Sequence, residues 1–560
     1  MSGAGAAAAP STSTDPTAGR LPRAHPAALG VDPAAIERLT ASLTRIGGVH
    51  SLMVVRRGQV VGEGWWAPYR AELPHTLNSV SKSVTALAVG VAIDEGLLGL
   101  DDRVIDLLPE DAPAQPSERL QRLTVRHLLT MSRGCSEPDF DGVRSRQTAE
   151  AVCFVLNEPL DHEPGERFVY STGTTFLVAA ILQRLTGGRL LDFVADRLFG
   201  PLGITTRDWD SSADGVDLGG SGLHLRTEEL ALLGQLLLQR GAWGGRQLVP
   251  ADWLDLATSP QIATTDVAPF AGGAPGPGDW ELGYGFQFWR SRHGAYRADG
   301  AFGQFIVVLP ELETVVVTTA GLDPMDAVLD AIWTDLLPGI GALPDADAAP
   351  AAAALPETET APDAGSDEPA RLSGLRLPPQ PGTSTSSRAH DLLGRRFAID
   401  DGAHLIGLRI DIAVPADRVV DAAADADDDR AEWTLELETA HGVERLGAGH
   451  GRWVEGTTSV ITGSPTPVGV SAGWDEAAED DATADGARAD GARGDGAVWR
   501  LRIQLIETAQ TLTVAVTVDD DTVRIEGRMH GWFAPAELGP ITGHATRRRG
   551  DESATPRSAG

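Results

Sequence analysis

The hydrophobic period of this chain changes once, across an Ala/Pro/Asp/Ser-rich stretch at residues 341–388. That change divides what the chain can fold into. Downstream of it apolar residues recur at every second position: Ile406, Leu408, Ile410 and Ile412; Trp433, Leu435 and Leu437; Trp499, Leu501, Ile503 and Leu505; Leu512, Val514, Val516 and Val518. A period of two is that of a strand with one face buried. Several such strands with turns between them predict an all-β barrel or sandwich over residues 389–545. The acidic Ala/Gly-rich run 475–496 is expected as a disordered insertion in it, and 546–560 as a disordered tail. The stretch 341–388 itself has little apolar periodicity and reads as a flexible linker.

Upstream the two periods are mixed. Ser51 to Val61 predicts two strands joined by a turn at Arg57-Gly58. A helix is expected from Ser79 to about Glu95, where Val80, Val84, Leu87, Ala88, Val91 and Ala92 share one face and Gly96 can end it. Helical patterns follow at 125–131, 148–156, 174–185, 190–198, 227–239 and 250–257. Strands return at 284–289, 305–309 and 314–319, and a last helix at 325–337. Strands at both ends with helices between them imply an α/β (α+β) domain over residues 34–340, an antiparallel sheet flanked by helices with a helical insertion. Residues 1–33 read as a disordered leader. At 560 residues the chain is too long for a single core, so two to four domains are expected.

A formal charge of -33 argues against nucleic acid or an anionic membrane surface as partner, since either would repel it. The first 23 residues lack a basic segment followed by an apolar one, so they do not read as a secretory signal. No run approaches 18 apolar residues, which argues against a membrane span. The only cysteines, Cys135 and Cys153, cannot build a disulfide framework and make a poor metal site. They read as two buried thiols of a cytoplasmic protein. No metal site and no cofactor is expected.

Among 46 basic side chains 45 are arginine, and the one lysine is Lys82, in Asn78-Ser79-Val80-Ser81-Lys82-Ser83. Arginine stays protonated at any working pH, whereas a buried lysine can give up its proton and act as a base. Ser79 and Lys82 lie about one helical turn apart, on the same side of a first turn. A serine hydroxyl is a weak nucleophile until a neighbouring base takes its proton. The first-turn N–H of Ser79 has no partner within the helix and is free to hold an oxyanion. The plain alternative is a serine that caps a helix beside a solvated lysine.

Two further elements stand out. Tyr170-Ser171-Thr172 follows the turn Glu163-Pro164-Gly165-Glu166-Arg167, and Tyr170 is one of only four tyrosines. A phenol beside a Ser/Lys pair could relay a proton; by itself it reads more readily as a half-buried structural tyrosine. The run Ala298-Asp299-Gly300-Ala301-Phe302-Gly303-Gln304 leads into an apolar strand, where glycine lets a substrate lie close to the backbone. By itself it is a Gly-rich turn.

Taken in order, these elements resemble the serine β-lactamase / penicillin-binding-protein superfamily, in its class C-like branch of esterases, D-aminopeptidases and 6-aminohexanoate-dimer hydrolases. The phrases Thr124-Val125-Arg126-His127-Leu128-Leu129-Thr130-Met131-Ser132-Arg133-Gly134, Pro201-Leu202-Gly203-Ile204 and Gly219-Gly220-Ser221-Gly222-Leu223 add to the likeness, which spans roughly residues 35–340. The resemblance implies a β-lactamase-like fold in which Ser79 is acylated, Lys82 is its base partner and Tyr170 is a second general acid/base. It also implies an oxyanion hole from the N–H groups of Ser79 and Ala301, with Thr172, Ala298, Gly300 and Gln304 against the substrate. Two departures matter. Thr172 stands where the family usually has Asn, and Ala298 where it usually has Lys or His, the cation that helps hold a substrate carboxylate.

The expectation is a serine hydrolase cleaving an ester or amide of a small molecule through an acyl-enzyme. A β-lactamase or D,D-peptidase, and a catalytically silent binding or sensor protein, stay open as alternatives. In the β domain Trp453, Trp474, Trp499 and Trp532 could line a ligand site, but core packing is the better reading of them.

Overall fold

The computed structural model describes residues 19–139, 150–264, 278–341, 370–400, 405–413, 432–475, 498–531 and 536–546. The chain forms two compact units, one of residues 1–64 and 74–373, the other of 65–73 and 374–560.

The first unit is built on a seven-stranded sheet. Its strands are β1 (Val49–Arg56), β2 (Gln59–Trp65), β3 (Trp289–Arg290), β4 (Tyr296–Gly300), β5 (Gln304–Leu309), β6 (Thr314–Ala320) and β7 (Ala370–Leu372), in the spatial order β7-β2-β1-β6-β5-β4-β3. Val54 lies opposite Val316, and Val307 opposite both Val316 and Arg297. Every residue of β1, β5 and β6 is buried. A sheet covered on both faces needs such continuous apolar strands, and here it receives them from runs such as Phe305-Ile306-Val307-Val308-Leu309.

Helices supply the covering. Helix α1 (Pro33–Ile46) starts on the side-chain cap of Asp32 with proline at its first position, and its Ile36 meets Gly62 of β2. Helix α2 (Val80–Asp94) is buried along almost its whole length. Helix α3 (Thr172–Thr186) is capped by Ser171, whose side chain accepts the Thr174 N–H. Helix α4 (Thr227–Leu238) lies flat on the sheet because Gly234 has no Cβ; one would sit 2.4 Å from Val315 and 2.9 Å from Ile306.

Most elements fall within two or three residues of the sequence reading, and the differences have causes. The strand expected at 284–289 is reduced to isolated bridges of Tyr284 with Ile262 and Trp289, followed by β3. The helix expected from 190 to 198 runs regularly only to Val194 and continues as a wider turn through Phe199. Residues 19–33, expected in a disordered leader, pack: Leu21 is buried and Arg23 pairs with both Glu63 and Glu228. Inside the expected linker, Ala370–Leu372 joins the sheet parallel to β2, and residues from 374 onward belong to the second unit. Cys135 and Cys153 are unpaired and half-buried rather than buried.

The second unit is a barrel, not a sandwich. Nine strands, from Arg396–Ile399 to Ala536–Ala545, pair antiparallel in one sheet that closes through a parallel bridge of Gly449 to Ser471; a tenth, Val454–Thr458, pairs at the seam. Alternate residues fill it: Trp433, Leu435, Leu437, Trp499, Leu501, Ile503 and Leu505 are all in its core. Ile406 is the exception, half exposed just before its strand begins. The acidic insertion 475–496 lies outside the described residues apart from Asp475, and the tail apart from Thr546.

Candidate active site

Ser79 sits at the N-terminus of α2, where the chain turns sharply. Asn78 adopts φ 48°, a left-handed conformation that asparagine accepts better than most residues. Its amide donates to the carbonyl of Ala301 at 2.9 Å, tying the Ser79 turn to the end of β4. The N–H groups of Val80, Ser81 and Lys82 bond to the carbonyls of Leu77, Asn78 and Ser79, which leaves the N–H of Ser79 outside the turn's own bonds.

Gly300 brings the other wall of the site close. A Cβ there would lie 2.3 Å from the Leu77 carbonyl and 3.2 Å from the Val80 nitrogen, so only glycine fits. The Gly300 carbonyl accepts the Gly303 N–H at 3.2 Å. In a trans peptide the N–H points opposite to the carbonyl, so the Ala301 N–H is directed away from that turn. Two backbone donors from different elements are thereby available for an oxyanion.

Lys82 is buried, with 1 % of its surface exposed. Its Nζ lies 3.0 Å from Ser79 Oγ, 3.0 Å from Thr172 Oγ1 and 2.7 Å from the Gly220 carbonyl. Burial pushes its pKa down to about 7, against the opposing pull of the Asp139 and Asp299 carboxylates. All three direct partners are uncharged, so nothing in contact fixes the proton on the amine. Gly220 must be glycine for its carbonyl to come this near, since a Cβ would meet Thr172 at 2.9 Å.

Tyr170 completes the group. Its hydroxyl is hydrogen-bonded to Ser79, and burial raises its pKa above the ordinary phenol value. The ring stacks on Trp289 at 6.1 Å between centroids and lies 4.9 Å from Lys82 Nζ. Asp139 holds this segment in place. Its backbone pairs with Tyr170 and Thr172, and its carboxylate accepts the Gly173 N–H at 3.1 Å.

Residues 34–337, more than half of the chain, match the family model described as Beta-lactamase. The chain belongs to the beta-lactamase family. Within it, the chain is 27% identical over 287 residues to the 6-aminohexanoate-dimer hydrolase of Paenarthrobacter ureafaciens, covering 48% of this chain and 71% of that protein. It is 30% identical over 209 residues to the lovastatin esterase of Penicillium rubens, covering 31% of this chain and 50% of that one. A penicillin-binding protein homolog from Caulobacter crescentus superposes with a TM-score of 0.43 at 18% identity, over 55% of this chain and 99% of that one.

In this beta-lactamase-family chain the structure brings Ser79, Lys82, Tyr170 and Thr172 into one cluster and sets Gly300 and Ala301 against it. Ala298 is fully buried in β4. Gln304 is not placed for substrate. Its amide donates to the carbonyls of Ala301 and Ala320 and accepts the Ala320 N–H, so it stitches β5 to β6 with both of its N–H groups spent. Asp139, Asp299 and the Gly220 carbonyl were not singled out in the sequence. Asp299 is legible in retrospect, lying between two candidate residues; a backbone carbonyl carries no side-chain signal.

Two predictions follow from the lysine. If its neutral form is the base, kcat/KM for an ester rises with pH to a plateau, with a limb near pH 7, the value to which burial brings Lys82. A flat profile between pH 5.5 and 8.5 contradicts this. The second prediction concerns stability. The folded pKa is about 7 and the ordinary value 10.5, so between those pH values the unfolded chain binds more protons, and stability rises with pH. At about 1.36 kcal/mol per pKa unit, the wild type should gain several kcal/mol on Lys82→Met between pH 7 and 10.5. Parallel stability curves for the two proteins would contradict it.

Proposed function

We propose that this chain hydrolyses an ester or amide bond of a small molecule through an acyl-enzyme on Ser79. The observation that carries the reading is the 3.0 Å approach of a buried, readily neutralised Lys82 to Ser79 Oγ. As Oγ attacks the substrate carbonyl, its proton passes to the Lys82 amine and the carbonyl π electrons move to oxygen. The N–H groups of Ser79 and Ala301 hold the resulting oxyanion. Collapse breaks the bond to the leaving group, which takes a proton from Tyr170; the phenol, kept protonated by its raised pKa, is resupplied from Lys82. Water then attacks the acyl-enzyme by the reverse proton path and releases the acid. No metal or cofactor enters these steps.

The substrate class follows from charge. Where a carboxylate-binding cation would stand there is Ala298, and the neighbouring Asp299 carboxylate is held by the buried Arg297 guanidinium at 2.8 Å. A β-lactam brings its own carboxylate to such a site and would find neither a lysine nor a histidine at position 298 to hold it. Both named relatives cleave bonds other than a β-lactam by their printed names, which supports the esterase or amidase reading. Two unpaired cysteines suit a reducing cytoplasm, and the chain's strongly acidic composition argues against nucleic acid or an anionic membrane as partner. Among the described residues no helix is long and apolar enough to cross a membrane.

The test compares p-nitrophenyl butyrate with a chromogenic cephalosporin on the same preparation. The ester should be turned over at least roughly 10²-fold more efficiently. The reverse order would overturn the assignment in favour of a β-lactamase, and neither reaction in a folded sample would favour a silent binding protein.

A further inference from the structure

The Ala301 N–H belongs to a turn that this chain adopts only under strain. Gly300, Ala301, Phe302 and Gly303 form it, closed by the bond from the Gly303 N–H to the Gly300 carbonyl at 3.2 Å. Phe302 has φ 71°, a left-handed backbone that Ala301 before it does not share. That is the pattern of a type II turn, whose third residue is by preference glycine. A bulky L-residue at that position is strained where a glycine would not be. A type I turn would return Phe302 to ordinary backbone angles. The two types differ by a half-rotation of the central peptide, here Ala301–Phe302, and so by the face on which the Ala301 carbonyl is shown.

Two side-chain amides oppose that rotation. Asn78 Nδ2 donates to the Ala301 carbonyl at 2.9 Å and Gln304 Nε2 at 2.8 Å. A carbonyl oxygen has two lone pairs, and each here meets an amide N–H that a turned-over carbonyl would leave behind. Gln304 is itself well held. It is fully buried at the start of β5, and its remaining N–H and its oxygen bond the Ala320 carbonyl and N–H at 2.8 and 2.9 Å. The next carbonyl, that of Phe302, accepts the Leu322 N–H at 3.0 Å, which fastens the turn on its far side.

The amides act where the two oxyanion donors have to be set against each other. The Ser79 N–H lies in the peptide that follows Asn78, and the Ala301 N–H in the peptide just before the carbonyl that Asn78 holds. The Asn78–Ala301 bond therefore joins the two stretches of main chain that carry the donors. They are 223 residues apart in sequence, so no local geometry fixes their spacing. Such donors stabilise developing charge only when both already point at one place. Gln304 supplies the second hold, keeping the carbonyl turned toward Asn78 against the strain at Phe302.

We infer that Asn78 and Gln304 are positioning residues of the oxyanion hole: by sharing the Ala301 carbonyl they hold the Gly300–Gly303 turn in its strained form and fix the Ala301 N–H against that of Ser79. Both act through the backbone rather than on the substrate. The inference rests on the acyl-enzyme reading for what the two donors do; the hold on the turn does not depend on it.

The test is a set of full-chain variants assayed with p-nitrophenyl butyrate. Asn78→Gly keeps the turn at Ser79, since glycine accepts φ 48°, and loses the amide; Gln304→Met keeps the volume and loses the amide. Each is also combined with Phe302→Gly. Either single variant should lose roughly 10- to 10²-fold in kcat with KM changed by less than about threefold, because the donors act on charge that develops only in the transition state. Adding Phe302→Gly removes the left-handed strain and should raise kcat of either variant roughly tenfold. Loss of packing alone predicts the opposite sign, since the second substitution deletes another large side chain. An unchanged kcat in Asn78→Gly, or no gain on adding Phe302→Gly, would overturn the inference. Crystal structures of the two single variants read the turn without turnover: Phe302 should relax to negative φ, and a left-handed Phe302 in both would equally overturn it. If Gln304→Met or a combined variant does not fold, Asn78→Gly and its structure decide. A wild type that turns over no ester would sink the hydrolase reading instead, and the same structures would then show whether the amides hold the turn.

Discussion

Replacing Ser79 by alanine is expected to lower ester turnover on the order of 10⁴-fold or more, while the protein stays folded. The size follows from what is lost. Without Oγ there is no atom to acylate, and in a cluster whose members act as a unit the loss of the nucleophile removes nearly the whole rate enhancement due to that unit. The two backbone donors would still polarise a bound carbonyl, so a small residual rate above water is expected. The substitution deletes one half-buried oxygen at the start of α2, whose hydrogen bonds to Lys82 and Tyr170 are dispensable for the helix. Substrate binding should be altered far less than kcat. A variant that keeps a tenth of the wild-type kcat would place the nucleophile elsewhere.

Lys82→Arg should be nearly as damaging, by about 10²- to 10⁴-fold, the range set by losing a positioned base. Charge is kept and the proton-accepting function is lost, because a guanidinium does not deprotonate in a protein. The slot also has the wrong shape. The Lys82 ammonium sits among Ser79 Oγ, Thr172 Oγ1 and the Gly220 carbonyl within 3.0 Å, whereas a planar fork needs more room and two aligned acceptors. The acid limb of the pH profile should vanish in this variant, a readout that mere loss of packing would not produce. Near-normal turnover with the limb intact would assign the proton to another group.

How much of this was legible in the sequence depends on where each signal resides. The Ser79–Lys82 pair was, because helix α2 is announced by its apolar face and because arginine occupies every other basic position. Tyr170 and Gly300 were visible as types in an order, without their geometry. What stayed hidden acts through the backbone or across long separations. The Gly220 carbonyl has no side chain to read. Asp139 holds Tyr170 and Thr172 by main-chain bonds, and its carboxylate is one of many in an acidic chain. Gln304 misled for the opposite reason: a polar residue opening an apolar strand looks like a ligand contact, yet its amide satisfies three backbone groups inside the sheet. Strand β7 was lost in low-complexity surroundings, since three residues are too few to show a period. In the barrel the alternation gave the strands. The closure at Gly449 and Ser471 is a tertiary event that no local pattern encodes.

The most direct test of the account is intact-mass analysis after exposure to a fluorophosphonate, followed by peptide mapping. The account predicts one adduct, on Ser79, formed faster as pH rises through 7 and absent from Ser79→Ala. A folded protein that takes up no adduct, or one labelled on a different residue, would contradict the claim that Ser79 and Lys82 form a working nucleophile and base.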